Sequence, residues 1–171
     1  MANETESNNA FATANTLTLG IATTGQLSTS SDLDFYKINA TAAGSLSIVL
    51  DVPTSNAYSD YFTLGLFNSS GTLLSQFATG TDKTYTVGAP TAGTYYVGIQ
   101  SGSYYYSSGQ YSITVSNTAG STSAFEAEAN NTIATANALA LGSATTGQLS
   151  TSSDLDFYKI NGRRRVRCRL C

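Results

Sequence analysis

The sequence contains no histidine and no tryptophan. The absence of histidine excludes the Ser-His-Asp triad, the Cys-His dyad and every zinc site built on imidazole ligands. Asp32 and Asp34 could in principle cleave glycosides as a carboxylate pair, but without tryptophan the chain lacks a common platform for sugar rings. A Ser-Lys nucleophile would have to use Lys37, Lys83 or Lys159, and none of these lies in a matching motif. We therefore expect that the chain is not an enzyme.

Cysteine and arginine are absent from residues 1–162, so no disulfide or thiolate site is expected in the folded part. The same residues hold three lysines and eleven acidic residues, a formal charge of −8, which disfavours nucleic acid as a partner and favours cations. Both cysteines and all five arginines lie in residues 163–171. We interpret these residues as a tail foreign to the fold. A functional basic tail and a metal-binding cysteine pair are the alternatives.

Long apolar runs are also missing, and none approaches the 18 residues of a membrane-spanning helix. Met1 is not followed by a basic and then an apolar stretch, so no signal peptide is visible. Charged residues make up only 11% of the chain, a composition common in secreted β-rich proteins. We expect a secreted or cell-surface protein whose present chain is processed or a fragment.

An internal repeat determines the domain organisation. The 18 residues Ala22–Asn39 recur unchanged at Ala144–Asn161, an offset of 122. We predict a complete domain over 1–117, a linker over 118–125, a truncated second copy over 126–162 and the basic tail over 163–171.

Alternation of apolar and polar residues predicts strands in the first copy, most clearly at Tyr111–Val115 and less strictly at Leu46–Leu50, Phe62–Leu66 and Tyr95–Ile99. Asn68-Ser-Ser-Gly71 predicts a hairpin turn. Helix is limited to one short turn near residues 10–14. Eight or nine short strands at roughly ten-residue spacing predict an all-β fold. We expect an antiparallel, jelly-roll-like β-sandwich, with one complete unit and the first strands of a second.

The acidic residues are grouped in the same way in each copy. The four glutamates form two equivalent pairs, each followed by two asparagines and later by Asp-Leu-Asp. Alternate residues of an extended strand share a face, so such a row of carboxylates repels itself unless a cation lies among them. Calcium prefers six to eight carboxylate, amide and carbonyl oxygens. The spacing thus indicates either a calcium site or a solvated acidic arm. The candidate ligands are Glu4, Glu6, Asn8, Asn9, Asp32 and Asp34, repeated as Glu126, Glu128, Asn130, Asn131, Asp154 and Asp156.

Several motifs follow one another along the chain: Glu4-x-Glu6-x-Asn8-Asn9, Asp32-Leu-Asp34-Phe-Tyr36, Gly44-Ser-Leu-Ser-Ile48, Gly93-Thr-Tyr-Tyr-Val97 and Gly109-Gln-Tyr111-Ser-Ile-Thr-Val115. In this order they resemble the bacterial pre-peptidase C-terminal domain family, close to the collagen-binding modules of bacterial collagenases. The resemblance implies a jelly-roll accessory module of secreted peptidases and surface proteins. In the collagenase branch the corresponding acidic segment and aspartate pair bind calcium and fix the linker strand, which implies the same role for the residues above. Asn9 departs from that pattern because the family has an acid there.

Tyrosines and the incomplete second copy indicate partners. Tyr104, Tyr105 and Tyr106 lie between Gly102 and Gly109 in a predicted loop, where they either flank a turn or bind an extracellular protein or polysaccharide. Tyr95 and Tyr111 are expected in the core.

The strands of residues 130–161 cannot bury both faces alone. They would exchange with residues 8–39 of another molecule and build a homopolymeric filament, fold back onto their own domain, or stay disordered. The sequence thus leaves two hypotheses: a calcium-binding adhesion module in tandem repeats, or a structural subunit that polymerises by strand exchange.

Overall fold

The computed structural model of the protein describes residues 2–53, 60–120, 124–149 and 151–162. These residues form twelve β-strands and one 3-10 turn at Phe11–Thr13. The strands are β1 (Ala2–Asn3), β2 (Asn15–Thr16), β3 (Thr23–Gly25), β4 (Leu33–Ala40), β5 (Gly44–Asp51), β6 (Phe62–Asn68), β7 (Leu73–Thr79), β8 (Lys83–Ala89), β9 (Gly93–Ser101), β10 (Tyr111–Ala119), β11 (Asn137–Leu139) and β12 (Tyr158–Ile160).

The first ten strands form two five-stranded sheets. The first sheet has the order β1-β3-β10-β5-β8, and the second has the order β2-β4-β9-β6-β7. All long pairings are antiparallel, and only the short pairs β1–β3 and β2–β4 are parallel. The two sheets pack face to face around one core, which confirms the predicted all-β sandwich.

Period-two alternation determines which side chains enter the core. In β5, Leu46, Ile48 and Leu50 are buried while the residues between them are partly exposed. Val97 and Ile99 of β9 face the same interior. Removing each such side chain from water stabilises the fold by about 1.5–3 kcal/mol. Tyr95 and Tyr111 are buried as the sequence predicts.

The predicted hairpin turn joins β6 to β7. The Asn68 side-chain Oδ1 accepts hydrogen bonds from the backbone N–H groups of Ser70 and Thr72, both at 2.9 Å. Gly71 has a φ of 80°, a conformation that favours glycine. The 3-10 turn lies within the segment where the sequence allows one short helical turn.

The second copy repeats the start of the first. β11 pairs with β12 in parallel with Asn137 opposite Tyr158, which reproduces the Asn15–Tyr36 pairing of β2 and β4. An isolated parallel bridge between Phe125 and Thr146 corresponds to the β1–β3 pair.

β10 extends through Ala119, so the first two residues of the predicted linker belong to a strand. The last residue of that linker, Phe125, makes the bridge at the start of the second copy. Residues 163–171, the predicted tail, lie outside the described residues, as do 121–123 of the linker. None of the described segments forms a helix long and apolar enough to cross a membrane.

Candidate metal centre

Three carboxylates meet where the two sheets come together at one side of the sandwich. Glu4 directly follows β1 of the first sheet, Glu6 lies two residues further along, and Asp34 belongs to β4 of the second sheet. One oxygen of each lies within 4.8 Å of the others. The strand order therefore brings together acidic residues that are about 30 positions apart in sequence.

Hydrogen bonds of both the backbone and the side chain hold Glu4 in place. Its backbone N–H donates to Thr24 across the β1–β3 pair at 2.9 Å. Its side chain accepts hydrogen bonds from the Gln26 backbone N–H and from the Tyr36 hydroxyl, each at 2.5 Å. Glu4 Oε2 also lies 3.4 Å from Asn8 Nδ2 and 3.5 Å from the Tyr111 hydroxyl, so this carboxylate contacts the Asn8 amide and both tyrosines.

Asp34 is the most buried of the three carboxylates, with no exposed surface. The Tyr111 hydroxyl donates to its Oδ2. The pKa of Asp34 is raised from 3.8 to about 7: burial is the largest cause, the bond from Tyr111 opposes it, and the carboxylates of Glu4, Asp32 and Glu6 add to the rise. Without a compensating cation, the protonated and ionised forms of Asp34 are therefore both populated near neutral pH.

Glu6 is an exposed residue, but its pKa is also raised. Partial desolvation of its carboxylate is the largest cause, followed by repulsion from Asp32 and from Glu4, while a backbone hydrogen bond from Asn8 opposes the shift. Mutual repulsion among these acids is the electrostatic situation that a divalent cation relieves.

The amide of Asn8 lies among the carboxylates, fully buried. One end of this amide is 3.2 Å from Glu6 Oε2 and 3.1 Å from Asp34 Oδ1. With nitrogen at that end, Asn8 donates hydrogen bonds to both acids. With oxygen there, three oxygens face one another, and a cation or a proton on Asp34 would make the arrangement favourable. The Asn8 backbone carbonyl also accepts a bond from Phe35 N–H at 3.0 Å, which fixes the loop to β4.

Asp32 and Asn9, the remaining sequence candidates of the first copy, do not join this group of three carboxylates. Asp32 Oδ2 accepts hydrogen bonds from Ser28 N–H at 2.7 Å and Ser28 Oγ at 2.8 Å, and its Oδ1 accepts one from Leu33 N–H at 3.0 Å. The Asn9 side chain also bonds to Asp32. These hydrogen bonds lower the pKa of Asp32 against the opposing effect of burial, so it stays ionised in the turn before β4.

The second copy assembles an equivalent group from Glu126, Glu128 and Asp156. Glu126 accepts hydrogen bonds from Gln148 N–H and from the Tyr158 hydroxyl, as Glu4 does from Gln26 and Tyr36. Burial raises the pKa of Glu128 to about 7 and that of Asp156 to about 6, with neighbouring carboxylates contributing to both shifts.

The other two candidates of the second copy repeat the arrangement around Asp32. The Asn131 amide end lies 2.8 Å from Asp154 Oδ1, and Leu155 N–H donates to that oxygen at 3.0 Å. Asp154 therefore lies in the turn before β12, and the Asn131 side chain lies against that turn.

Unsatisfied oxygens distinguish the second group. In the described part of the chain, three buried side-chain oxygens lack a hydrogen-bond partner: Glu128 Oε1, Asn130 Oδ1 and Asp156 Oδ1. Glu128 and Asp156 belong to this group, and the Asn130 amide donates to its third member, Glu126, at 3.3 Å. Leaving such an oxygen unpaired costs about 1–3 kcal/mol. Convergent, unpaired acceptor oxygens suit a hard cation such as calcium, which takes oxygen ligands only.

The tyrosine loop is exposed to different degrees along its length. Tyr104 is 92% exposed, and the Tyr105 ring packs on Tyr61 with centroids 5.5 Å apart. The Tyr106 hydroxyl donates to the Leu27 backbone carbonyl at 2.9 Å. Tyr104 and Tyr105 thus remain accessible, whereas Tyr106 also fixes the loop to the sandwich.

Sequence reasoning missed the roles of Tyr111 and Gly25 at this site. Tyr111 was expected only in the core, but its hydroxyl contacts Asp34 and Tyr36. A Cβ at Gly25 would collide with the hydroxyls of Tyr36 and Tyr111, so glycine makes room for the pair. The unchanged Gly25 and Tyr36 in the second copy, as Gly147 and Tyr158, are a signal that could have indicated this arrangement.

The comparisons with known proteins agree with the resemblance seen in the sequence. The family model of the bacterial pre-peptidase C-terminal domain matches residues 32–101, which confirms the resemblance for that stretch. Among solved structures, the chain is similar to the pre-peptidase C-terminal domain of a collagenase from Bacillus anthracis. The two are 24% identical with a TM-score of 0.47, over 60% of this chain and 93% of that one. No curated protein matches the chain.

Proposed function

We propose that this protein is a non-catalytic, extracellular accessory or adhesion module that binds calcium once per repeat. The observation that carries the proposal is the set of unpaired buried oxygens of Glu128, Asn130 and Asp156. The first copy supports it with Glu4, Glu6 and Asp34, together with the Asn8 amide. The remaining ligand positions of a six- to eight-coordinate ion would be filled by backbone carbonyls and water.

The role proposed for the ion is structural. In the first unit, Glu4 and Glu6 belong to the N-terminal arm, and Asp34 belongs to a strand of the opposite sheet. These residues would hold the arm against the sandwich when their charges are neutralised by calcium. Extracellular modules bind calcium with a Kd of about 10⁻⁴–10⁻³ M, which at millimolar calcium contributes about 0.4–1.4 kcal/mol per site.

The accessory role also rests on chemistry and family. The chain contains no histidine, and residues 32–101 match a domain family named for its position beside peptidases. For this module we propose an extracellular partner, either a protein or a polysaccharide. Tyr104 and Tyr105 are the accessible aromatic side chains that we propose as its contact surface.

Titration calorimetry with calcium chloride tests the calcium proposal. We expect two sites of submillimolar to millimolar affinity, one per copy. The double variant Glu4→Gln and Glu6→Gln should retain only the second site, and Glu126→Gln with Glu128→Gln only the first. Asp51→Asn removes one negative charge from the exposed end of β5 and should leave both sites intact. Absence of binding heat and of thermal stabilisation in the parent protein would rule the proposal out.

A second candidate function is polymerisation through strand exchange by the second copy. Leu149 and Ile160 are 63% and 58% exposed, although their counterparts Leu27 and Ile38 are fully buried. Residues 144–161 are identical in sequence to residues 22–39, so they fit the core of the sandwich in which residues 22–39 are packed.

In strand exchange, each second copy that inserts into another molecule displaces the first copy from the same core. The core contacts are therefore the same before and after exchange, and association requires a high protein concentration. Filaments in electron micrographs, lost in Ile160→Asp but kept in the exposed control Ile21→Asp, would support this candidate. A monomeric mass at every concentration would exclude it.

A further inference from the structure

The start of the second copy lies against one side of the first sandwich. β7 and β8 are the last strands of their sheets and lie on the same side, where the hydroxyls of Ser75 and Tyr85 are 2.6 Å apart. A groove on this side is lined by Leu74 of β7 and Gly88 of β8, and Phe125 and Gln148 form its other wall. Edge strands carry unpaired backbone groups, which native proteins cover.

Gly88 determines how closely the two units approach. A Cβ at this position would lie 2.7 Å from Phe125 Cβ and 2.9 Å from the Glu126 backbone oxygen. Both distances are shorter than real Cβ atoms show, and one of the obstructing atoms is backbone. Glycine at position 88 is therefore required for this contact, as expected where another chain segment comes close to a strand.

Phe125 differs between the copies in a way that fits this contact. Its counterpart is Asn3, and both residues make the same parallel backbone pairing, Asn3 with Thr24 and Phe125 with Thr146. Asn3 is exposed, whereas Phe125 is partly buried against the preceding sandwich. The backbone pairing is thus the same in both copies, but the side chain at this position is polar in the first copy and aromatic in the second.

Gln148 adds a polar contact to the edge strand. Its Nε2 donates to the backbone carbonyl of Gln76 in β7 at 3.2 Å. The identical residue of the first copy, Gln26, donates instead to Ser108 within its own sandwich at 2.6 Å. The same side chain in the same repeated segment therefore bonds the neighbouring unit in the second copy.

We propose that the β7–β8 edge of the sandwich is a docking surface for the beginning of the following repeat, with Phe125 as the apolar anchor and Gly88 as the opening that admits it. The partner is the arm of the next unit in the same chain, and the contact joins successive units in one fixed orientation.

Fluorescence tests this proposal, since the chain contains no tryptophan. Phe125→Trp introduces a single reporter into the contact, and Asn3→Trp places the same reporter at the equivalent exposed position. In the presence of EDTA, so that the result does not depend on calcium, we expect blue-shifted emission and several-fold weaker acrylamide quenching for Phe125→Trp. Equal emission and equal quenching in the two variants would overturn the proposal.

Glycine variants then test the fit. Gly88→Ala in the Phe125→Trp protein should shift the emission and quenching to those of Asn3→Trp. Gly120→Ala, where a Cβ has open space, should change neither. Unchanged emission with Gly88→Ala would contradict the proposal.

Proteolysis separates undocking from unfolding. Phe125→Ser should accelerate cleavage within residues 124–149 several-fold while leaving the melting temperature of the sandwich unchanged. Unchanged cleavage would count against the anchor role even if the glycine variant fails to fold.

Discussion

The hydroxyl groups of Tyr36 and Tyr111 lie 2.8 Å apart inside the sandwich and connect the carboxylates of Glu4 and Asp34. The three contacts are Glu4 with Tyr36, Tyr36 with Tyr111 and Tyr111 with Asp34. The two phenolic hydroxyls carry only two protons, so they can supply hydrogen bonds to only two of these contacts. When Asp34, whose pKa is about 7, is ionised, Tyr111 donates to it; when Asp34 is protonated, it donates to Tyr111, which then donates to Tyr36. The tyrosine pair thus links the buried core to the protonation state of the candidate metal centre.

Tyr111→Phe removes a hydroxyl from this series while keeping the ring. We expect a loss of about 1–3 kcal/mol in the free energy of unfolding, since Asp34 and Tyr36 both lose a partner. The bond from Tyr111 lowers the pKa of Asp34, so its loss should also raise that pKa and weaken calcium binding near neutral pH.

Tyr95→Phe is the matched control for this variant. Tyr95 is also buried, and its hydroxyl donates to the Thr91 carbonyl at 2.8 Å, away from the acids. It should lose comparable stability in urea unfolding and show unchanged calcium affinity in calorimetry. Equal calcium affinity in both variants would show that the tyrosine pair does not act on the site.

The pH dependence of stability follows from Asp34. Its pKa in the folded protein, about 7, lies above its ordinary value of 3.8, so the folded state binds more protons between these values than the unfolded state does. In EDTA the free energy of unfolding should therefore decrease as the pH rises from 5 to 8. Urea titrations at several pH values measure this, and Asp34→Asn should make the slope smaller, while the acids whose pKa is also raised, such as Glu6, keep its sign. A stability that rises with pH over this range would contradict the assignment.

Glu6→Gln should have opposite effects with and without calcium. Glu6 experiences repulsion from Asp32 and Glu4, so removing its charge should raise the melting temperature in EDTA. The same change removes a ligand, so the stabilisation by added calcium should largely disappear. Scanning calorimetry checks both signs, with Asp51→Asn as the charge control. A variant that keeps the full calcium response would place Glu6 outside the site.

Gly25→Ala should disturb the site through sterics alone. The added Cβ would meet the hydroxyls of Tyr36 and Tyr111, and such overpacking costs about 1–3 kcal/mol. Gly120→Ala, with no atom near the new Cβ, should leave the urea midpoint unchanged. Equal midpoints for the two variants would show that the hydroxyl pair can move without cost.

The sequence predicts the sandwich because local patterns determine it. Alternation in Leu46–Leu50 and Tyr111–Val115 gives two strands whose inner residues fill the core, and Asn68 with Gly71 gives the turn. The acidic candidates could also be found from sequence, since the repeat marks them twice.

Which candidates meet could not be predicted, because that depends on long-range packing. Asp32 and Asp34 are two residues apart, but one faces a serine turn and the other a tyrosine in β10. The contact of Gly88 with Phe125 likewise depends on how the second copy lies on the β7–β8 edge, which no local pattern contains.

Long-wavelength anomalous diffraction from crystals grown with calcium tests the central claim most directly. We expect an anomalous peak bounded by Glu4, Glu6, Asp34 and the side-chain oxygen of Asn8, with oxygen distances of about 2.3–2.6 Å. A second peak should lie among Glu128, Asn130 and Asp156. Crystals with saturating calcium and no peak at either position, with the Asn8 amide nitrogen directed at the two acids, would contradict the account.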